Sequence, residues 1–124
     1  MNNENKNDIK ILIVDDMPDN IYLFRFLLER EGYTILEASN AGDAIQLVKT
    51  HSISLILMDI QMPEMDGLEA TKIIKKFKPN ITIVALTARL MLEDKDEMNI
   101  AGCDGIIDKP INPQQFHQQV KSFL

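Results

Sequence analysis

Five short runs of aliphatic and β-branched residues punctuate the chain, at positions 9–14, 34–38, 53–58, 81–86 and 105–107. Each is rich enough in apolar residues to be a strand buried on both faces of a sheet. Between them lie segments with helix punctuation. Pro18 and Asp19 open one that closes at Gly32, and Ser39 or Asn40 can cap a second that carries Ala41, Ala44, Ile45 and Val48. Asp66 can cap a third through Lys76, ending before Pro79, and a fourth from 88 to 101 stops at Gly102. Asn112 and Pro113 predict the start of the fifth, because proline at the first helical position gives up no needed donor, and Phe116, Val120 and Phe123 then recur at core spacing. Strict strand–helix alternation predicts an α/β fold: a parallel sheet with helices on both faces, joined by right-handed crossovers.

Length and charge narrow the reading. The chain has 124 residues, 45% of them hydrophobic, which suits one domain with a real core and leaves no room for a second. Residues 1–8 read as a polar tail, residues 9–124 as the domain, with no output domain following. The formal net charge of −6 opposes direct contact with nucleic acid or an anionic membrane surface. Cys103 is the single cysteine, so no intramolecular disulfide is possible, and a cytoplasmic setting is expected. The opening residues lack the apolar segment of a signal peptide.

In an open α/β sheet the functional crevice lies beyond the carboxyl ends of the strands. The first run ends in Asp15 and Asp16, the third in Asp59, the fourth in Thr87 and Ala88, and the fifth leads into Lys109 and Pro110. Carboxylates gathered there repel one another by roughly 4 kcal/mol per pair at about 4 Å and an effective dielectric of 20. A divalent cation and the Lys109 ammonium together would balance three of them. Oxygen-only ligands with incomplete enclosure favour Mg²⁺ (or Mn²⁺), which commonly also holds a phosphate. The arrangement therefore predicts phosphoryl transfer, with Asp59 as nucleophile, Asp15 and Asp16 holding metal, and Lys109 and Thr87 meeting the phosphoryl oxygens.

The acidic pair Asp15-Asp16, the run Leu57-Met58-Asp59-Ile60-Gln61-Met62-Pro63-Glu64-Met65-Asp66-Gly67, Thr87-Ala88 and Asp108-Lys109-Pro110 resemble the receiver domain of two-component response regulators. The stretch Ala101-Gly102-Cys103-Asp104-Gly105 resembles single-domain regulators and receivers of hybrid kinases. The resemblance implies a flavodoxin-like doubly wound (βα)5 fold with strand order 2-1-3-4-5. It implies that Asp59 accepts a phosphoryl group from a phosphohistidine on a histidine kinase or phosphotransfer protein, and that the chain then controls a downstream protein. It implies metal held by Asp16, Asp59 and the backbone carbonyl of Gln61, with Asp15 acting through water, and a cis bond between Lys109 and Pro110. Thr87 and Ala88 would take part in the switch. Gln61 and Arg89 occupy positions that tune loss of the phosphoryl group, and Ile106 stands where many receivers carry an aromatic switch residue.

Two other functions remain open on the residues alone: a phosphohydrolase forming an aspartyl phosphate, although Gln61 stands where such enzymes want a second acid, and an adaptor receiver that is not phosphorylated. Tyr22 and Phe26 are four apart on the first helix, opposite the face of Asn20, Phe24, Leu27 and Leu28, and form either a partner-docking patch or peripheral packing. His51 and His117 read as solvated, Cys103 as a small buried hydrophobe, and Met58 and Met62 as packing near the third strand. Lys72, Lys75, Lys76 and Lys78 read as a solvated face, Asp66 as a cap and Gly67 as a turn residue.

Overall fold

A computed structural model describes residues 8–62, 66–88 and 92–124, with the side chains of 92–94 left aside. The elements alternate as expected: β1 (Lys10–Val14), α1 (Pro18–Glu29), β2 (Thr34–Ala38), α2 (Ala41–Thr50), β3 (Leu55–Asp59), α3 (Gly67–Phe77), β4 (Thr82–Thr87), α4 (Leu92–Ala101), β5 (Gly105–Asp108) and α5 (Phe116–Lys121). All strands are parallel, in the order β2-β1-β3-β4-β5. This is the flavodoxin-like doubly wound arrangement. The order reverses at β1, so the carboxyl ends of β1 and β3 flank the crevice.

Strand alternation sends each run into two separate cores. Leu12, Val14, Ile56, Met58, Ile83 and Ala85 face α2, α3 and α4, where Val48, Ile74 and Met98 meet them. Ile11, Ile13, Leu55, Leu57, Val84 and Leu86 face α1 and α5, against Phe24, Leu28, Phe116 and Val120. Burying one such side chain stabilises the fold by about 1.5–3 kcal/mol. This is why the central strands are apolar along their middles.

The helix starts follow local chemistry. Asn40 and Asp66 accept the N–H groups of Asp43 and Glu69, three residues on, and so cap α2 and α3. Met17 offers no side-chain cap, and Pro18 opens α1 instead. Gly32 and Gly102 take φ of 99° and 108°, a conformation that other residues adopt at a cost, and they turn the chain after α1 and α4.

The last helix corrects the sequence reading. Asn112 Oδ1 accepts the N–H of Gln114, and the Asn112 carbonyl accepts those of Gln115 and Phe116. Asn112 and Pro113 thus build a separate turn, and the helix begins only at Phe116. The fourth helix is described from Leu92 rather than from position 88.

Candidate functional site

Two strands deliver the acidic cluster and a third its lysine. Asp15 follows Val14 at the end of β1, held there by its N–H donating to the Ala38 carbonyl at 3.1 Å. Asp59 is the last residue of β3. Asp15 continues the alternation of Ile11 and Ile13, and Asp59 that of Leu55 and Leu57, so both point to the α1–α5 side of the sheet. Lys109 continues from Ile107 on that same side. Carboxylate oxygens of Asp15, Asp16 and Asp59 lie within 4.8 Å of one another. The Lys109 ammonium stands 2.8 Å from Asp15 Oδ2 and 3.5 Å from Asp59 Oδ2.

Asp15 is wholly buried and Asp59 is 4% exposed, whereas Asp16 is half-buried. Burial raises the Asp59 carboxyl from the ordinary 3.8 to about 6. The Gln61 N–H, which donates to Asp59 Oδ1 at 2.9 Å, and the Lys109 charge oppose that rise, while the charges of Asp15 and Asp16 add to it. A single ammonium therefore does not neutralise the cluster. The donor set fits a hard divalent cation: anionic oxygens from Asp15, Asp16 and Asp59, one of them half-open to water, with the charged form of Asp59 disfavoured by burial and by its acidic neighbours. Among the described residues this is the one group of metal-ligating side chains so gathered.

The other expected residues fall into two sets. Lys109–Pro110 is cis, and the Lys109 N–H donates to the Thr87 carbonyl at 2.9 Å, which ties the end of β5 to the end of β4. Thr87 is buried, and by alternation it continues Ile83 and Ala85 toward the α3–α4 side. Ile106 packs on that same side, paired in register with Ala85. Thr87 and Ile106 thus share one face, while Asp15, Asp59 and Lys109 share the other. Ala88 and Gln61 are exposed beside the site, and Arg89 lies outside the described residues. Tyr22 and Phe26 are 74% and 53% exposed on α1, and the Arg30 guanidinium lies 5.6 Å from the centre of the Phe26 ring.

Sequence reasoning missed two contributors. Asn20, read as a packing residue, directs its amide at Asp15, 3.4 Å from each oxygen. Gly67, read as a turn residue, starts α3 directly against the acceptor strand: a β-carbon there would stand 2.2 Å from the Asp59 carbonyl oxygen. The Asp-Gly pair signals a turn, and nothing local signals that close approach. Two further readings are corrected. His117 is bonded at 3.0 Å to the Tyr33 hydroxyl, and Lys75 is bonded at 2.9 Å to Asp104, so neither is simply solvated. Cys103 and the methionines 58 and 62 are buried as expected. No helix among the described residues is long and apolar enough to cross a membrane.

This geometry has close parallels. The chain is 40% identical over 116 residues to the polar-differentiation response regulator DivK of Brucella anthropi, covering 92% of this chain and 94% of that protein. The chemotaxis protein CheY4 of Vibrio cholerae superposes with a TM-score of 0.90 at 26% identity, over 94% of this chain and 98% of that one. A CheY-like receiver domain protein of Methanospirillum hungatei does so at 0.86 and 32% identity, over 92% and 91%. Residues 11–121 match the response regulator receiver domain, and with the acidic pocket at the switch point of a doubly wound sheet the chain belongs to that family.

Proposed function

We propose that this receiver takes a phosphoryl group onto Asp59 from a phosphohistidine of a histidine kinase or phosphotransfer protein, catalyses that transfer with its own side chains, and then controls a downstream protein. The observation that carries the proposal is the placement of the Asp59 carboxylate, nearly buried, between one ammonium and two further carboxylates. Oδ1 is held by the Gln61 N–H, which leaves Oδ2 to meet phosphorus. The Oδ2–P bond forms as the P–N bond to the donor imidazole breaks, and the departing nitrogen keeps the electron pair and takes a proton from solvent. Asp16, Asp59 and the Gln61 carbonyl, with Asp15 through water, would hold a Mg²⁺ or Mn²⁺ ion, which would supply positive charge to offset the carboxylates and screen the transferring group.

Lys109 then turns from Asp15 toward a phosphoryl oxygen, and the Thr87 hydroxyl donates to another. Since Thr87 and Ile106 share the α3–α4 face, the inward pull on Thr87 reaches that surface. Ile106 brings no ring to rotate, so the signal is read through the backbone between β4 and α4, with Ala88 at its start. Gln61 and Arg89, at positions that do so in the family, tune loss of the phosphoryl group. Tyr22 and Phe26 dock the donor beside the site. The free buried thiol of Cys103 suits a cytoplasmic setting.

Acetyl phosphate with Mg²⁺, read by intact mass, tests the core of this. The expected result is one phosphoryl adduct on the wild type with no other enzyme present, and none on Asp59→Asn; no adduct on a folded wild type, or an equal adduct on Asp59→Asn, overturns it. In the Tyr22→Ala, Phe26→Ala double variant, transfer from the phosphohistidine donor slows while acetyl phosphate labelling is kept. Equal loss from both donors removes the docking role.

A further inference from the structure

Asp15 is wholly buried, and both of its oxygens are engaged. Oδ1 accepts the Met17 backbone N–H at 2.9 Å, and Oδ2 accepts the Lys109 ammonium at 2.8 Å. A third donor reaches both atoms, because Asn20 Nδ2 lies 3.4 Å from each. A carboxylate only accepts, so only the nitrogen end of the amide can face it, and the orientation of Asn20 follows. Each contact is long and individually weak. Together they straddle the carboxylate edge and fix its plane.

Lys109 is drawn in two directions, being 2.8 Å from Asp15 and 3.5 Å from Asp59. If it swings to a phosphoryl oxygen on Asp59, Asp15 stays buried and loses its nearest donor, the situation in which an ionised group is most costly. Asn20 sits in the first turn of α1 and lines, with Lys109 and Ala88, a cavity of about 330 Å³. It can therefore remain on Asp15 while the ammonium moves. Its neutrality matters. A cation at this position would hold Asp15 permanently, and an acid would pin Lys109 where it is.

We propose that Asn20 is a positioning residue for phosphoryl transfer, holding the Asp15 carboxylate in place while Lys109 changes partners. This rests on the phosphoacceptor reading above and adds to it a residue that touches neither metal nor phosphorus.

The test combines Mg²⁺ titration followed by backbone amide NMR shifts with acetyl phosphate labelling at saturating Mg²⁺, on wild type, Asn20→Ala, Lys109→Ala and the double variant. Asn20→Ala is expected to weaken Mg²⁺ binding by up to roughly tenfold, the low end of what loss of a partner behind a metal ligand does, since Asp15 itself reaches the ion through water, and to slow labelling. In the Lys109→Ala background the same change is expected to slow labelling no further, since the two act through one carboxylate. Unchanged Mg²⁺ affinity overturns the proposal, as does a loss of labelling that simply adds to that of Lys109→Ala. So does a drop in metal-free melting temperature that accounts for the whole effect per folded molecule. A wild type that binds Mg²⁺ but is never labelled refutes the phosphoacceptor reading instead, and the Mg²⁺ arm still decides whether Asn20 orients Asp15.

Discussion

At the amino ends of the strands, Lys75 meets Asp104 at 2.9 Å and the Ile81 carbonyl at 2.6 Å, while Asp104 also accepts the Ile83 N–H at 2.9 Å. At the carboxyl ends, Lys109 is the one cation among the described residues that meets Asp15 and Asp59 beside Asp16, and Asp59 is pushed to about 6. Both ends use lysine and aspartate. One end pairs them nearly one to one and ties β4 to β5, whereas the other leaves excess negative charge in a low-dielectric crevice. The difference teaches where the fold is held and where it is kept poised. Local instability at the carboxyl ends is what lets a cation and a phosphoryl group act there.

The comparison can be broken by experiment. Mg²⁺ at one hundred times its dissociation constant should stabilise the wild type by about 2.7 kcal/mol, if it binds the folded chain alone. Urea melts with and without the ion check this, and Asp59→Asn should lose most of the gain. Next comes the amino end. Asp104→Ala removes the partner of both Lys75 and the Ile83 N–H, so the unfolding free energy from urea melts should fall by about 2 kcal/mol, with acetyl phosphate labelling intact. A loss of labelling would mean that the two ends are coupled.

The third effect is smaller and has a definite sign. Asp59 binds its proton more tightly folded than unfolded, about 6 against 3.8, so the folded chain holds more protons between those values. Stability therefore drops as pH rises through that window. Metal-free Asp59→Asn should be more stable than wild type at neutral pH by about 1–2 kcal/mol, allowing for solvent screening. The advantage should vanish below about pH 4, and equal melts across the range would refute the strained carboxylate. Smallest of all, Tyr33→Phe removes the hydroxyl bonded to His117, next to Glu31 at 3.5 Å, and should cost about 1 kcal/mol or less in the same melts.

The parts of this protein that were legible in its sequence are those set by neighbours along the chain. Runs such as Leu55 to Met58 must be apolar to sit between two helix layers, and Asn40 and Asp66 reach N–H groups three residues away. The start of the last helix was misjudged because Asn112 satisfies a turn as readily as a helix cap. His117 and Lys75 were misjudged because their partners lie 84 and 29 residues away.

By itself, the sequence determined which reactive groups stand at the strand ends and in what order, because side-chain alternation and strand termination are local properties of the backbone. Only the tertiary structure decided that Lys109 sits closer to Asp15 than to Asp59, that Asn20 faces Asp15 and not the core, and that Asp59 resists ionisation. Those depend on distance and dielectric across the sheet, which arise only once elements far apart in the chain have packed and excluded water.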